Sequence, residues 1–355
     1  MFIIRKPFSN RALNYLGLLF TLGVITSMYM RKVLPAKYFY DDNRMRGKFD
    51  SEYWDLFQSD INTIAVYDLL GFSQFSSPIL IGFFGIFVGF LSFRLALTRS
   101  PMAKLDLPAI LFFGMCFALL VIFYGQLSKE VVLTILTTCC FLLAKNRKGV
   151  VLGLLMLCLY ATFFRIYWYL VISVTIANLF FLSGRMRMRN FVLLVITLLL
   201  TMSFVFYQTQ GFYLSEIRNT MNQASIGSPD VITIILNLLP TSNIFLDVLN
   251  GLISALRFKF PVELVLLGNI KYLAFIAFQL WLTSVVFRST KIYFSTEQNM
   301  GLRFKFSLSI IIAYWLIQGF FEPDFGTALR HQFPLLPFFI YLFCCNRVLA
   351  PYDKN

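Results

Sequence analysis

Ten stretches of this chain are apolar over lengths close to that of a bilayer crossing, and no soluble core accommodates so many. They cover residues 12–30, 78–98, 108–125, 130–144, 149–164, 166–183, 190–207, 270–287, 306–321 and 334–346. A helix needs about 20 apolar residues to cross the hydrocarbon region, where it must satisfy its own backbone hydrogen bonds. The expected fold is therefore all-α and polytopic, a single integral membrane domain over 1–355 with about ten transmembrane helices. Composition agrees: 58% of residues are hydrophobic and 14% charged, against about 45–50% and about 25% in soluble domains.

Ten crossings put both termini on one side, and the Lys/Arg bias of the loops says which. The N-terminal side holds Arg5, Lys6, Arg11, Arg94, Arg99, Lys104, Lys145, Arg147, Lys148, Arg185, Arg187, Arg189, Arg288, Lys291, Arg303, Lys305, Arg347 and Lys354. The acids with them are Asp106, Glu297 and Asp353. Of 31 basic and 17 acidic residues in the chain, that side takes 18 and 3, a charge of +15, and leaves 13 and 14, a charge of −1. The partition predicts an N-in, C-in protein. The formal charge of +14 then reflects loop anchors rather than a nucleic-acid surface, because the basic residues come in short clusters between apolar runs. The run Ala12–Met30 is long enough to span and no small-residue cleavage site follows it, so it is expected to remain as a span rather than be removed as a signal peptide.

The apolar run 149–182 has 34 residues, about 51 Å as one helix, which exceeds a core about 30 Å thick. A hairpin turning at Phe164-Arg165-Ile166-Tyr167-Trp168 resolves this and places Arg165 near the outer interface. Two external segments are long. Residues 31–77 carry Asp41, Asp42, Asp50, Glu52, Asp55 and Asp60. Within them Tyr53-Trp54-x-x-Phe57 and Ile61-x-x-Ile64-Ala65-x-x-Asp68-Leu69-Leu70 recur at helical spacing, which predicts a helix along the surface. Residues 208–269 contain the apolar pieces 231–239 and 244–256, too short to span and read as interfacial or re-entrant. The six cysteines lie in apolar runs, and with one histidine and no C-x-x-C the chain carries no disulfide framework and no zinc site.

Charged groups at membrane depth are costly unless paired or hydrated, so they are the first candidates for function. Gly125-Gln126-Leu127-Ser128-Lys129-Glu130 precedes the fourth span. Ser128 is a suitable N-cap, and the helix N-terminus with Lys129 can hold a phosphate oxygen or can be an ordinary cap beside a snorkelling lysine. Arg165, flanked by Tyr167, Trp168 and Tyr169, can bind pyrophosphate bidentately or belong to an interfacial aromatic belt. In Arg257-Phe-Lys259-Phe-Pro261-Val-Glu263 the two cations can face an anionic headgroup with Glu263 as partner or base, or form an amphipathic anchor. The densest polar cluster is Glu322-Pro-Asp324-Phe-Gly326-Thr-Ala-Leu-Arg330-His331-Gln-Phe-Pro334. Its carboxylates can act as a general base and Arg330 with His331 can neutralise a leaving phosphate, or the cluster can be a solvated turn. Asp41 and Asp42, soon after the first span, can position an acceptor hydroxyl or a metal, or form a solvated turn; the sequence provides no second metal-ligand cluster. There is no phosphate-binding Gly-x4-Gly-Lys loop, no dinucleotide fingerprint and no cytoplasmic catalytic domain. Any reaction must therefore use a substrate that arrives already activated.

At these residues the chain resembles bacterial Wzy-type polymerases, which polymerise oligosaccharide repeat units of O-antigen and capsule. The likeness is carried by Ser128-Lys129-Glu130, by Phe164-Arg165-Ile166-Tyr167 and by Arg257-x-x-x-Pro261-x-Glu263-Leu264. It continues in Phe325-Gly326-Thr327-Ala328-Leu329-Arg330-His331-x-x-Pro334-x-x-Pro337. The resemblance implies a GT-C-like membrane glycosyltransferase in the bacterial inner membrane, with its active site facing the periplasm. It implies undecaprenyl-pyrophosphate-linked oligosaccharide as substrate, a chain-length regulator protein as a partner, and no cofactor. In that reading Lys129, Arg165, Arg257 and Arg330 bind pyrophosphate, Glu130, Glu263, Asp324 and His331 are the catalytic candidates, and Asp41 and Asp42 lie on the acceptor side. The early acidic pair is also similar to GT-C enzymes that use polyprenyl-phosphate monosaccharides. A lipid-linked glycan transporter is a rival and predicts mid-membrane charges and matching halves, neither legible in the sequence. A membrane acyltransferase is another, and would need His331 as its base.

Overall fold

In the computed structural model, residues 10–49, 54–101, 105–223, 233–295 and 300–349 are described. The expectations placed on Arg5, Lys6, Asp50, Glu52, Tyr53, Lys104, Glu297, Asp353 and Lys354 fall outside them. The chain runs through α1 (Asn10–Val33), α2 (Tyr40–Arg46), α3 (Ser59–Leu69), α4 (Pro78–Thr98), α5 (Leu107–Tyr124) and α6 (Lys129–Leu143). It continues through α7 (Arg147–Phe163), α8 (Trp168–Leu182), α9 (Met188–Gln210), α10 (Glu216–Gln223) and α11 (Ile244–Lys259). The last helices are α12 (Val262–Leu266), α13 (Ile270–Ser295), α14 (Leu302–Phe321), α15 (Phe325–Gln332) and α16 (Leu336–Leu349). Among the described residues there is no strand, only an isolated antiparallel bridge between Ile234 and Asp324.

Among the described residues, seven helical stretches are long and apolar enough to cross a membrane: Asn14–Val33, Pro78–Thr98, Leu107–Tyr124, Met188–Gln210, Tyr272–Ser295, Leu302–Phe321 and Phe325–Leu349. The protein is an all-α, multi-pass membrane protein. The expected crossings 130–144, 149–164 and 166–183 also form helices, α6, α7 and α8, but of only 15, 17 and 15 residues. The long apolar run breaks between Phe163 and Trp168, at the expected turn.

The chain divides into two compact units. The first comprises residues 1–169, 299–307 and 333–355. In it α4 presents Gly82, Gly85 and Gly89 on one face toward the end of α5. A Cβ at Gly82 would lie 2.6 Å from the Gly125 carbonyl oxygen, and one at Gly85 would run into the Tyr124 carbonyl. Small residues at such crossings let backbones approach closely in a membrane, where dispersion packing replaces the hydrophobic drive. α6 packs along α7 and against α3 and α4. Its C-terminal carbonyls, at Phe141 and Leu142, accept hydrogen bonds of 3.2 Å from Arg303, a cation placed where the helix dipole favours one. α3 is not a surface helix with only one face engaged. Ile64, Ala65 and Tyr67 are buried against the bundle, and Trp54 and Phe57 adopt positive φ values of 65° and 62° outside any helix. This irregular stretch is held by the end of α7, where the Thr162 carbonyl accepts from the Phe57 N–H at 3.1 Å.

The second unit comprises residues 170–298 and 308–332. α11 packs on α9 and α13, and α14 crosses it where a Cβ at Gly319 would lie 2.6 Å from the Ala255 nitrogen. Ile235, Phe258, Leu264, Ile276, Phe325 and Ala328 form a buried cluster. The segment before α11 is stitched to the α14–α15 turn: the Ile235 N–H donates to the Pro323 carbonyl at 2.9 Å and the Phe325 N–H to Thr233 at 3.3 Å. At its far end α11 stops at Lys259, whose carbonyl accepts from the Thr283 hydroxyl at 3.3 Å. Thr283 is midway along the 26-residue α13, so α11 ends level with the middle of that helix.

Candidate functional site

The polar cluster of the first unit forms where α1 and α7 end and α6 begins. Asp42, fully buried on α2, pairs with Arg31 from the end of α1 and with Arg46 at 3.2 Å, and accepts the Leu127 N–H at 2.9 Å. Arg46 reaches on to the Ser76 carbonyl at 2.9 Å. Asp42 thus clamps the first loop to the α5–α6 turn. Its carboxylate, expected on the acceptor side, is held by three donors of its own chain. Asp41 is at the surface, 3.2 Å from Arg44.

Next to this clamp, Asp60 on α3 gathers three cations. Lys129 lies 2.7 Å away, Arg44 3.1 Å and Lys48 3.3 Å. Burial of the Asp60 carboxyl works to raise its pKa, but Lys129, Arg44 and Lys48 outweigh it and hold the group below the usual carboxylate range. The neighbouring Glu130 is almost fully buried. It accepts the Ser128 hydroxyl at 2.6 Å and pairs with Arg165 at 3.3 Å. Arg165 also donates to the Tyr167 hydroxyl at 3.0 Å. Ser128 therefore sits at the N-cap position of α6 but turns its hydroxyl to Glu130 instead of capping the helix. Tyr160, buried under the same turn, has a hydroxyl with no hydrogen-bond partner among the described residues. Lys129, Glu130 and Arg165 come together as three members of one site. Asp60, Arg44 and Lys48, which complete it, lay in the acidic first loop without any local pattern to single them out.

In the second unit, Arg257 pairs with Glu263, six residues on, and donates to the Leu236 carbonyl at 2.7 Å. Glu263, expected as partner or base, is here the partner of Arg257. Asp324 accepts both the Thr327 N–H at 3.0 Å and its hydroxyl at 2.6 Å. It thus caps α15. His331 lies 2.8 Å from the buried Glu322 carboxylate through Nδ1. Arg330 is half-buried one residue before it on α15. Arg218 on α10, which no motif marked, is fully buried and donates to the Asn237 side chain and the Gly319 carbonyl. Burial first, and then the nearby Arg257 guanidinium, push it down to about 10. Lys259 is buried too. Its ammonium lies 4.4 Å over the Trp315 ring, 2.8 Å from the Gln318 amide oxygen and 3.4 Å from that of Gln332, which also accepts from Trp315. Charges were expected at one end of the spans, yet Lys259 lies level with the middle of α13. That is one of the two marks of a transporter; matching halves are the other.

Arg165 belongs to the first unit and Arg257 and Arg330 to the second. Among the described residues no group of three or more His, Cys, Asp or Glu side chains could hold a metal ion, and the six cysteines are free thiols. No family model, curated protein or solved structure matches the chain.

Proposed function

We propose that this chain is a glycosyltransferase that polymerises undecaprenyl-pyrophosphate-linked repeat units into a surface polysaccharide on the periplasmic face of a bacterial inner membrane. One observation carries the reading. At one end of the first unit, Lys129, Arg165, Arg44 and Lys48 surround two largely buried carboxylates, Asp60 and Glu130. The charge bias of the loops assigns that end to the outside. Such a cluster suits a substrate that brings its own negative charge and its own leaving group. The donor pyrophosphate takes Arg165 and Lys129 as its ligands. Arg165 then leaves Glu130, whose carboxylate accepts the proton of the acceptor hydroxyl. The hydroxyl oxygen bonds to the anomeric carbon as the bond to pyrophosphate breaks, and the cations stabilise the departing charge. Neither nucleotide nor metal enters this scheme. A polyprenyl-phosphate monosaccharide is the alternative donor.

The test is reconstitution. The purified protein in liposomes, given an undecaprenyl-pyrophosphate oligosaccharide, is expected to convert it to a ladder of longer lipid-linked chains. A preparation that binds the substrate but yields no ladder would falsify the reading.

A second reading has one observation in its favour, the Glu322–His331 pair. A histidine oriented by a buried carboxylate is the base-and-orienter arrangement of acyl transfer, which supports a membrane acyltransferase.

A further inference from the structure

Tyr160 lies on α7 about one turn before its end, where its carbonyl accepts the Phe164 N–H at 2.8 Å. The ring is held from two sides. Phe164 stacks on it with centroids 4.9 Å apart and planes at 6°, and Trp168 meets it edge-on at 5.8 Å. At 2% exposure the side chain is packed on all sides, so the direction of its hydroxyl is fixed. That hydroxyl has no hydrogen-bond partner among the described residues. A buried hydroxyl without a partner is costly and uncommon, and a state that pairs it is to be sought nearby. Two charged groups act on it, Arg165 and Glu130, together with the Tyr167 hydroxyl. Tyr67 on α3 also feels the Glu130 charge, but its hydroxyl already donates to the Ser128 carbonyl at 3.4 Å. The Arg165–Glu130 contact is 3.3 Å, longer than the roughly 2.7–2.9 Å of a tight charge-assisted hydrogen bond. The same guanidinium is tied to Tyr167 at 3.0 Å. This is the contact that must open when an anionic donor takes Arg165. Glu130, 1% exposed, then loses a charged partner without gaining water. A neutral hydroxyl can compensate the carboxylate, and it withdraws less of its basicity than a guanidinium does.

We infer that Tyr160 is a positioning residue that trades places with Arg165: when the guanidinium turns to the donor, the Tyr160 hydroxyl donates to Glu130 and holds that carboxylate for the proton of the acceptor. The purpose of the exchange rests on the proposed reaction, whereas the exchange itself follows whenever Arg165 leaves Glu130.

A double-mutant cycle in melting temperature tests the exchange without any substrate. In the otherwise unchanged protein, Tyr160→Phe removes only an unpaired hydroxyl, so its melting temperature should equal or exceed that of the wild type. With Arg165→Ala in place the hydroxyl has moved to Glu130. The same change should then lower the melting temperature by about 2–4 °C, the effect of one hydrogen bond to a charged group. Arg165→Met, which keeps the length of the side chain, replaces the alanine variant if that one does not fold. Tyr67→Phe is the comparison and should act equally in both backgrounds. An effect of Tyr160→Phe that is the same with and without Arg165, or a dependence on Arg165 shown by Tyr67→Phe instead, overturns the proposal.

Binding connects the exchange to the reaction. Undecaprenyl pyrophosphate should bind Tyr160→Phe about tenfold more weakly than the wild type, because the bond to Glu130 forms only when the ligand draws Arg165 away. Equal affinity of the two proteins overturns the role given to Tyr160. A wild type that binds no undecaprenyl pyrophosphate, beside a cycle that shows the coupling, supports the exchange and counts against the proposed donor.

Discussion

The Arg165 guanidinium lies 3.3 Å from the Glu130 carboxylate, 35 residues earlier in the chain, and the acid is buried to 1% exposure. Removing either group alone takes a charged partner from the other, leaving Glu130 its bond from Ser128 and Arg165 its bond to Tyr167. Arg165→Ala should therefore abolish polymer and also destabilise the first unit, by about 3–5 kcal/mol for a buried charge left without its partner. The double variant Arg165→Ala with Glu130→Gln should recover the thermal stability but not the activity. Glycan ladders in complemented cells, with detergent melting of the purified variants, separate the two effects. Long-chain polymer in the double variant would remove Arg165 from the mechanism.

Asp60 gives the protein an acid-sensitive point. Its carboxyl titrates below the usual range in the folded protein, so the unfolded chain, with a value near about 4, binds the proton first as pH falls. The stabilisation by Lys129, Arg44 and Lys48 is thus complete above about pH 4 and disappears as pH drops through the depressed value. Asp60→Asn should be less stable at pH 7 and should lose this acid step. An unchanged acid limb in melting against pH would show that the cation cluster is held together by something else.

His331 separates the two readings of function. If the protein transfers sugars through the first unit's cations, His331→Gln and Glu322→Gln should each leave weakened but measurable polymer. If it transfers acyl groups, both should fall by about a hundredfold or more, in the range of a lost general base. Turnover with each donor class decides between them.

At Gly85 any side chain would press on the Tyr124 carbonyl, a backbone atom that cannot rotate away. Gly85→Ala should cost about 1–3 kcal/mol through displacement of α4 from α5. Gly17, which has nothing within 4 Å of a built Cβ, is the matched control. Melting temperatures of the two alanine variants should differ clearly, with only Gly85→Ala lowered.

The helices were legible because lipid leaves a chain few options: an apolar stretch of sufficient length becomes a helix, and the 149–182 run had to break near Arg165. The polar sites were legible only where function and local pattern coincide. Lys129-Glu130 and Arg165 were found because a charge at the tip of an apolar run stands out. Asp60 was not, because what distinguishes it from Asp55 or Asp68 is a lysine 69 positions later in sequence. Asp324 carried a readable signal, Asp-Phe-Gly-Thr327, the pattern of a side chain capping the helix it begins, but its company of Arg330 and His331 suggested chemistry. Lys259 was read with Arg257 as one basic pair. Two residues of helix turn them by about 200°, so one reaches Leu236 and Glu263 and the other the interior.

That α11 stops at Lys259, halfway down α13, bears on how the protein is made. A lysine at the centre of a bilayer costs about 2.5–3.5 kcal/mol on insertion scales. The amide oxygens that receive this one belong to Gln318 and Gln332, translated some sixty and seventy residues later. Until α14 and α15 have been made, Lys259 has neither acceptor, and seating α11 beside α13 before then would carry the uncompensated cost of its charge.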